Sequence, residues 1–223
     1  MSPAGTVGIV LVGGGSRRLA AAGLPPGGKA AVVLEGRTFL ERIVAAVAAE
    51  VDRVLVVAAA GQPLPGLPPS VEVVRDREAG GGPLAALRDG LAAARRLDPP
   101  PRLAFVCAGD VPLVRRELVR LVVARGLATG AGWTVPLCGG HPQGLLSAVA
   151  LAMLPRIEAH LAAGRRDVRG LLEALEREQP AGIVQVTAAE VAAVDPAGDS
   201  ARDVDTPEDL AAVRGRGIPP SSA

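Results

Sequence analysis

The sequence predicts an α/β fold: a doubly wound, mostly parallel sheet with helices on both faces. Three observations carry this. Short, β-branched apolar runs alternate with segments of helical periodicity through the first half of the chain. The runs are nearly continuous in apolar character, as strands buried on both faces must be. The first of them ends in three glycines, where an open parallel sheet gathers its ligand loops beyond the carboxyl ends of its strands.

The elements follow in order. TVGIVLV at 6–12 is the first strand, and FLERIVAAVAA at 39–49 has helical spacing. RVLVVA (53–58), VEVV (71–74) and LAFVC (103–107) each read as buried strands, with a helix over 83–97 opened by Gly-Gly-Gly-Pro. The second half is less regular. It is expected to hold helices over 116–127, 150–163 and 168–178 and strands over 133–137, 144–149 and 182–186. Thr206-Pro-Glu-Asp209 starts a last helix, with Thr as cap, Pro in the first turn and acids at the positive end. The expectation is one domain over 1–214, followed by a disordered Gly/Pro/Ser tail over 215–223.

Composition excludes several classes. The 223 residues carry 24 Lys+Arg against 23 Asp+Glu, a net charge of +1, with one Trp, two Phe and no Tyr. That is neither the basic excess nor the stacking surface of a nucleic-acid binder. Cys107 and Cys138 are too few and too isolated for a disulfide framework or a zinc site, and read as buried thiols. No apolar run approaches the roughly 20 residues of a membrane span, and the opening MSPAGT lacks a signal pattern, so a cytoplasmic protein is expected.

Two loops carry the chemistry. Leu11-Val12-Gly13-Gly14-Gly15-Ser16-Arg17-Arg18 closes the first strand, where glycines let backbone N–H groups approach an anion and the arginines add charge. The dinucleotide fingerprint fails there, because Arg18 stands where its third glycine is needed. Gly23–Lys29 imitates a P-loop, but Ala30 has no hydroxyl for magnesium and no strand precedes it. Lys29 is still the only lysine beside 23 arginines, and a compact ammonium suits a phosphate oxygen where a planar guanidinium does not fit. In the second loop, Cys-Ala-Gly-Asp110-Val-Pro puts a carboxylate at the tip of a buried strand, suited to Mg²⁺ shared with substrate phosphates. A cap for the following helix is the plainer reading of Asp110. Asp205 is a candidate second carboxylate for the metal, or part of the last helix start. His160 reads as a surface residue.

These segments resemble the molybdenum cofactor guanylyltransferases, the MobA-like group of Rossmann-like nucleotidyltransferases. LVGGGSRRL with Lys29, GGPLAAL at 81–87 with Asp76 before it, AGDVP at 108–112, His141-Pro142 leading to AAGRRDVRG, and DVDTPEDL at 203–210 match the family's motifs in order. The resemblance implies a three-layer α/β/α nucleotidyltransferase that transfers GMP from GTP to molybdenum–molybdopterin and releases pyrophosphate. It implies that Leu11, Val12, Gly13 and Gly14 touch the nucleotide, that Lys29 binds the triphosphate, that Asp76 helps read guanine, and that Asp110 holds Mg²⁺. Lys29, Asp110 and Arg18 are then the expected catalytic groups, and His141 a structural or cofactor contact. A molybdoenzyme or its chaperone is a candidate partner. The rival readings are cytidylyl transfer from CTP to the same cofactor and a non-catalytic cofactor-handling protein. The chain departs from the family in several places. Leu19 and Ala20 replace a Met and a Gly, a longer stretch separates Arg18 from Lys29, Gly28 stands where the family has Asp, an alanine run replaces the Asn after the second strand, and Asp203 and Asp205 replace two Asn.

Overall fold

A computed structural model describes residues 5–13, 25–78 and 80–214. The sheet is built from β1 (Thr6–Leu11), β4 (Arg53–Ala58), β5 (Val71–Arg75), β6 (Leu103–Ala108), β7 (Trp133–Cys138), β8 (His141–Pro142), β9 (Leu146–Ala150) and β10 (Ile183–Val186). A separate two-stranded hairpin, β2 (Val33–Leu34) with β3 (Arg37–Thr38), was not an expected element. The helices are α1 (Phe39–Ala48), α2 (Pro83–Ala94), α3 (Arg116–Thr129), α4 (Leu154–Ala162), α5 (Val168–Glu178), α6 (Ala188–Val194) and α7 (Pro207–Arg214).

Across the sheet the order is β10-β7-β9-β6-β1-β4-β5, with β8 attached to β7. β1 runs parallel to β4 and β6, β4 to β5, and β10 to β7, whereas β9 is antiparallel to both β6 and β7. Along this path only β9 is reversed, so the sheet is mostly parallel as expected. The reversal has a consequence for the site. The carboxyl ends of the parallel strands share one edge, and the chain entering β9 arrives at that same edge.

Both faces of the sheet are covered. Val10 packs with Leu40, Val44 and Val122 on the side of α1 and α3, while Val7, Ile9 and Leu11 pack with Leu84, Leu87 and Ile157 on the side of α2 and α4. This alternation is the two-residue period of a strand buried on both sides. Leu and Val dominate, with Trp133, Phe39 and Phe105 the largest fully buried side chains. Both cysteines are buried thiols, and burial pushes Cys138 up to about 11 and Cys107 further still.

Three expectations change. VEVV is an edge strand: Glu72 and Val73 are exposed, because among the described residues no strand lies beyond β5. His160 is buried at 7% exposure, because α4 turns that face toward α2. The helix expected over 150–163 begins as strand and 3₁₀ turn, and its α-helical part is Leu154–Ala162. Helix α6 has no counterpart in the expected elements, although Thr187 and Glu190 form a reciprocal capping box at its start. The α7 start is as expected: Asp209 N–H donates to Thr206 Oγ1 at 3.1 Å, and Thr206 N–H to Asp209 Oδ2 at 2.9 Å. The tail over 215–223 lies outside the described residues, and no described helix is long and apolar enough to cross a membrane.

Candidate active site

The site forms where β1, β4 and β6 end together. Gly109 N–H donates to Leu11 O at 2.8 Å, which draws the turn after β6 against the end of β1. Asp110 follows directly, and α3 starts only at Arg116, so Asp110 does not cap that helix. Its backbone oxygen instead accepts from Val204 N–H at 2.9 Å. This bond docks the 203–205 segment beside Asp110, across more than ninety residues of sequence.

Lys29 enters between these carboxylates. It lies in a 3₁₀ turn, Gly28–Ala31, and its ammonium sits 3.5 Å from Asp110 Oδ2 and pairs directly with Asp205 Oδ1. Only 14% of the Lys29 side chain is exposed, against 41% for Asp205, so the cation is the more enclosed member. Asp205 takes part in the last helix start, one of the two readings the sequence offered, and its side chain pairs with Lys29. Its backbone N–H donates to Asp209 Oδ2 at the helix start, and its carboxylate faces Lys29.

A third carboxylate joins them. Asp203 is exposed as a residue, yet desolvation of its carboxyl and the charges of Asp110 and Asp205 push it up to about 6, against the opposing pull of Lys29. Three carboxylates facing one ammonium leave negative charge uncompensated. Hard oxygen donors with excess charge are what Mg²⁺ or Mn²⁺ prefers, so the residues present fit a divalent cation. Among the described residues no group of three or more His, Cys, Asp or Glu is arranged to hold a metal ion, so such a cation would take one or two of these carboxylates and complete its shell with substrate oxygens and water. Lys29 occupies the space between Asp110 and Asp205.

The first loop is described only to Gly13; Gly14, Gly15, Arg17 and Arg18 lie outside the described residues. Leu11 and Val12 are buried, and the Val12 N–H donates to Val57 O at 2.9 Å. Asp76 lies against Gly13: a Cβ at that glycine would come within 3.0 Å of Asp76 Oδ2. The backbone places it there, since Asp76 N–H donates to Ala58 O at 2.9 Å. Asp76 is raised above the usual carboxylate range, first by burial and then by the charge of Asp89, and its Oδ1 has no partner among the described residues. Asp89, buried at 2% exposure in α2, accepts from Arg77 N–H at 3.0 Å and from Arg88 Nε at 3.0 Å. It thereby fixes the turn that carries Asp76.

Beyond Asp110 and Asp203 a cavity of about 750 Å³ opens toward the reversed strand. His141, Gln143, Arg169 and Gln185 are among its walls, and His141 is exposed on β8. The site therefore gathers Lys29, Asp110, Asp205 and Asp203 at one point and Gly13 with Asp76 beside it, with His141 on the far wall. Two residues outside the sequence expectation belong to it. Asp89 gives no sequence signal, because an Asp in a helix is ordinarily a solvated one. Gln62 does: it is the one hydrogen-bonding side chain between Ala58 and Pro69.

Comparison with known proteins identifies the family and the fold. The model of the MobA-like NTP transferase domain matches residues 8–182. A relative from Mycobacterium avium, named "Probable molybdenum cofactor guanylyltransferase", is 38% identical over 175 residues, covering 77% of this chain and 83% of the relative. Among solved structures, molybdopterin-guanine dinucleotide biosynthesis protein A from Archaeoglobus fulgidus shares the fold at a TM-score of 0.72 and 22% identity, over 94% of this chain and 97% of that one. So does Rv0371c from Mycobacterium tuberculosis, solved in complex with manganese, at a TM-score of 0.64 and 17% identity, over 94% and 98%. The chain belongs to the MobA-like NTP transferase family.

Proposed function

We propose that this protein transfers GMP from GTP to the terminal phosphate of molybdenum–molybdopterin, forming the guanine dinucleotide cofactor and pyrophosphate. The observation that carries the proposal is the enclosed Lys29 ammonium between Asp110 and Asp205, at the carboxyl edge of the parallel strands. The guanylyltransferase name of the mycobacterial relative supports the choice of GTP and of acceptor.

An oxygen of the acceptor phosphate attacks the α-phosphorus in line, the bond from that phosphorus to the bridging oxygen breaks, and pyrophosphate departs with the electron pair. The attacking oxygen is already anionic at neutral pH, so no side chain need take a proton from it. The protein's part is positioning and charge stabilisation. Lys29 supplies a positive charge to the triphosphate, exchanging its carboxylate partners for phosphate oxygens. Asp110, with Asp205, would hold Mg²⁺, which neutralises phosphate charge when bound. Asp76, beside Gly13 and with one oxygen unpartnered among the described residues, accepts from the base. The cavity walled by His141 and Arg169 takes the acceptor.

Incubation with GTP or CTP, Mg²⁺ and molybdenum–molybdopterin, followed by mass analysis of the dinucleotide, tests the proposal. The guanine product is expected. Formation of the cytosine product alone would overturn the base assignment, and no product with either nucleotide would favour a cofactor-handling protein.

A further inference from the structure

We propose that Gln62 is a positioning residue for Lys29: its carboxamide clasps the two ends of the segment that joins β1 to the lysine turn. The inference rests on the reading of Lys29 as the triphosphate contact. Gln62 Nε2 donates to Val12 O at 3.2 Å and to Gly27 O at 3.0 Å, while its Oε1 accepts from Ala59 N–H at 3.2 Å. Val12 directly follows β1, and Gly27 stands two residues before Lys29. One side chain therefore spans the start and the return of the longer stretch that separates this chain from its family.

The contacts determine the orientation of the amide. Both donors meet carbonyls and the oxygen meets an N–H, so the flipped amide would set oxygen against two carbonyl oxygens. The backbone agrees. Gly27 has φ of 104°, and a Cβ there would come within 2.9 Å of Pro63 O, so only glycine can lie this closely on the 62–63 segment. That segment is anchored in turn, because Arg75 Nη1 donates to Ala59 O at 3.1 Å and to Gln62 O at 2.8 Å. A continuous path of bonds thus runs from β5 through Gln62 to the turn that aims Lys29. Without it the flexible lysine stem would follow its carboxylate partners instead of a fixed backbone. The alanine run after β4 ends at Gly61, and this glutamine follows it directly.

The test is the substitution Gln62→Glu, which keeps the shape and the acceptor for Ala59 N–H but removes both donors. With GTP and molybdenum–molybdopterin, kcat is expected to fall about 10- to 100-fold, the scale of a misplacement near one ångström. KM for molybdenum–molybdopterin should not change. In a Lys29→Ala background the same substitution should alter kcat by less than about threefold, because residues acting through one group are not additive. An equal loss in both backgrounds overturns the proposal, and so does wild-type kcat in Gln62→Glu when Lys29→Ala is impaired. Wild-type kcat in Lys29→Ala removes the reading beneath it instead. If Gln62→Glu does not fold, Gln62→Met, neutral and without donors, is judged by the same criteria. Failure of both variants to fold makes Gln62 a structural residue only and overturns the positioning role.

Discussion

The two halves of the site are built differently. On the side proposed for the nucleotide, β1, β4 and β5 are parallel neighbours, and the candidate groups are held by backbone bonds and enclosed ion pairs: Lys29 by Asp110 and Asp205, Asp76 by the turn that Asp89 fixes. On the side proposed for the acceptor the reversed strand β9 and the short β8 open a cavity of about 750 Å³, walled by exposed side chains such as His141. Charge is concentrated on the first side and spread on the second, where Arg169 is already paired with Glu173 at 2.8 Å. A triphosphate demands a few charges at set distances, whereas a bulky acceptor demands room. The contrast teaches that this protein concentrates its fixed bonds and ion pairs around Lys29 and Asp76 and leaves the cavity walls open.

That contrast can be broken by mutation. The largest effects belong to the enclosed charges: Lys29→Ala and Asp110→Ala should each lower turnover by about 100-fold or more, the scale of losing one group that stabilises developing charge. Near-wild-type rates in both, under saturating GTP, would remove the nucleotide side from the chemistry. Next comes Asp89→Ala, which leaves the Arg77 N–H and the Arg88 guanidinium without their acceptor and should lower stability by about 1–3 kcal/mol. Urea unfolding measures it, and a KM for GTP that rises together with the loss would tie Asp89 to the position of Asp76. On the acceptor side His141→Ala should raise KM for the acceptor a few-fold, leaving KM for GTP and the pH profile of kcat unchanged. A profile that lost a limb would make His141 a proton acceptor and blur the division.

The smallest expected effect is on stability in acid. In the α6 capping box the Thr187 hydroxyl and backbone N–H, together with Arg125, hold Glu190 down at about 2. A carboxyl lowered in the folded state stabilises above its unfolded pKa and loses that contribution as pH falls through the folded one. Wild type should therefore exceed Glu190→Gln in stability near pH 6, with the gap closing between about pH 4.5 and 2. Urea midpoints at pH 6 and pH 3 measure it. A gap that stayed constant would mean the glutamine keeps the box intact.

Much of this was legible beforehand, and particular residues show why. Lys29 and Asp110 stood out through local context: a lone lysine among arginines, and an Asp after Gly at a strand tip. The β-branched runs announced their own burial, because period and apolarity are local properties. VEVV carried the same local signal and still became an edge, since exposure depends on whether another strand lies beyond. His160 failed for the same reason: a helix position does not say which neighbour will cover it.

The sequence by itself determined the alternation of strands and helices, the loops that could hold phosphate, and the helix starts at Thr206 and, unread, at Thr187. Hydrophobic period and capping chemistry act over a few residues, so they survive in a linear reading. The tertiary structure alone decided that β9 runs backwards and opens the cavity, and that Val204 docks on Asp110 so that Asp203 and Asp205 meet Lys29. It also decided that Gln62 reaches Val12 and Gly27 together. Each of these joins residues distant in the chain through a hydrogen bond, an ion pair or a shared strand edge. Such contacts depend on which segments the assembled sheet makes neighbours, and residue identity alone does not specify that.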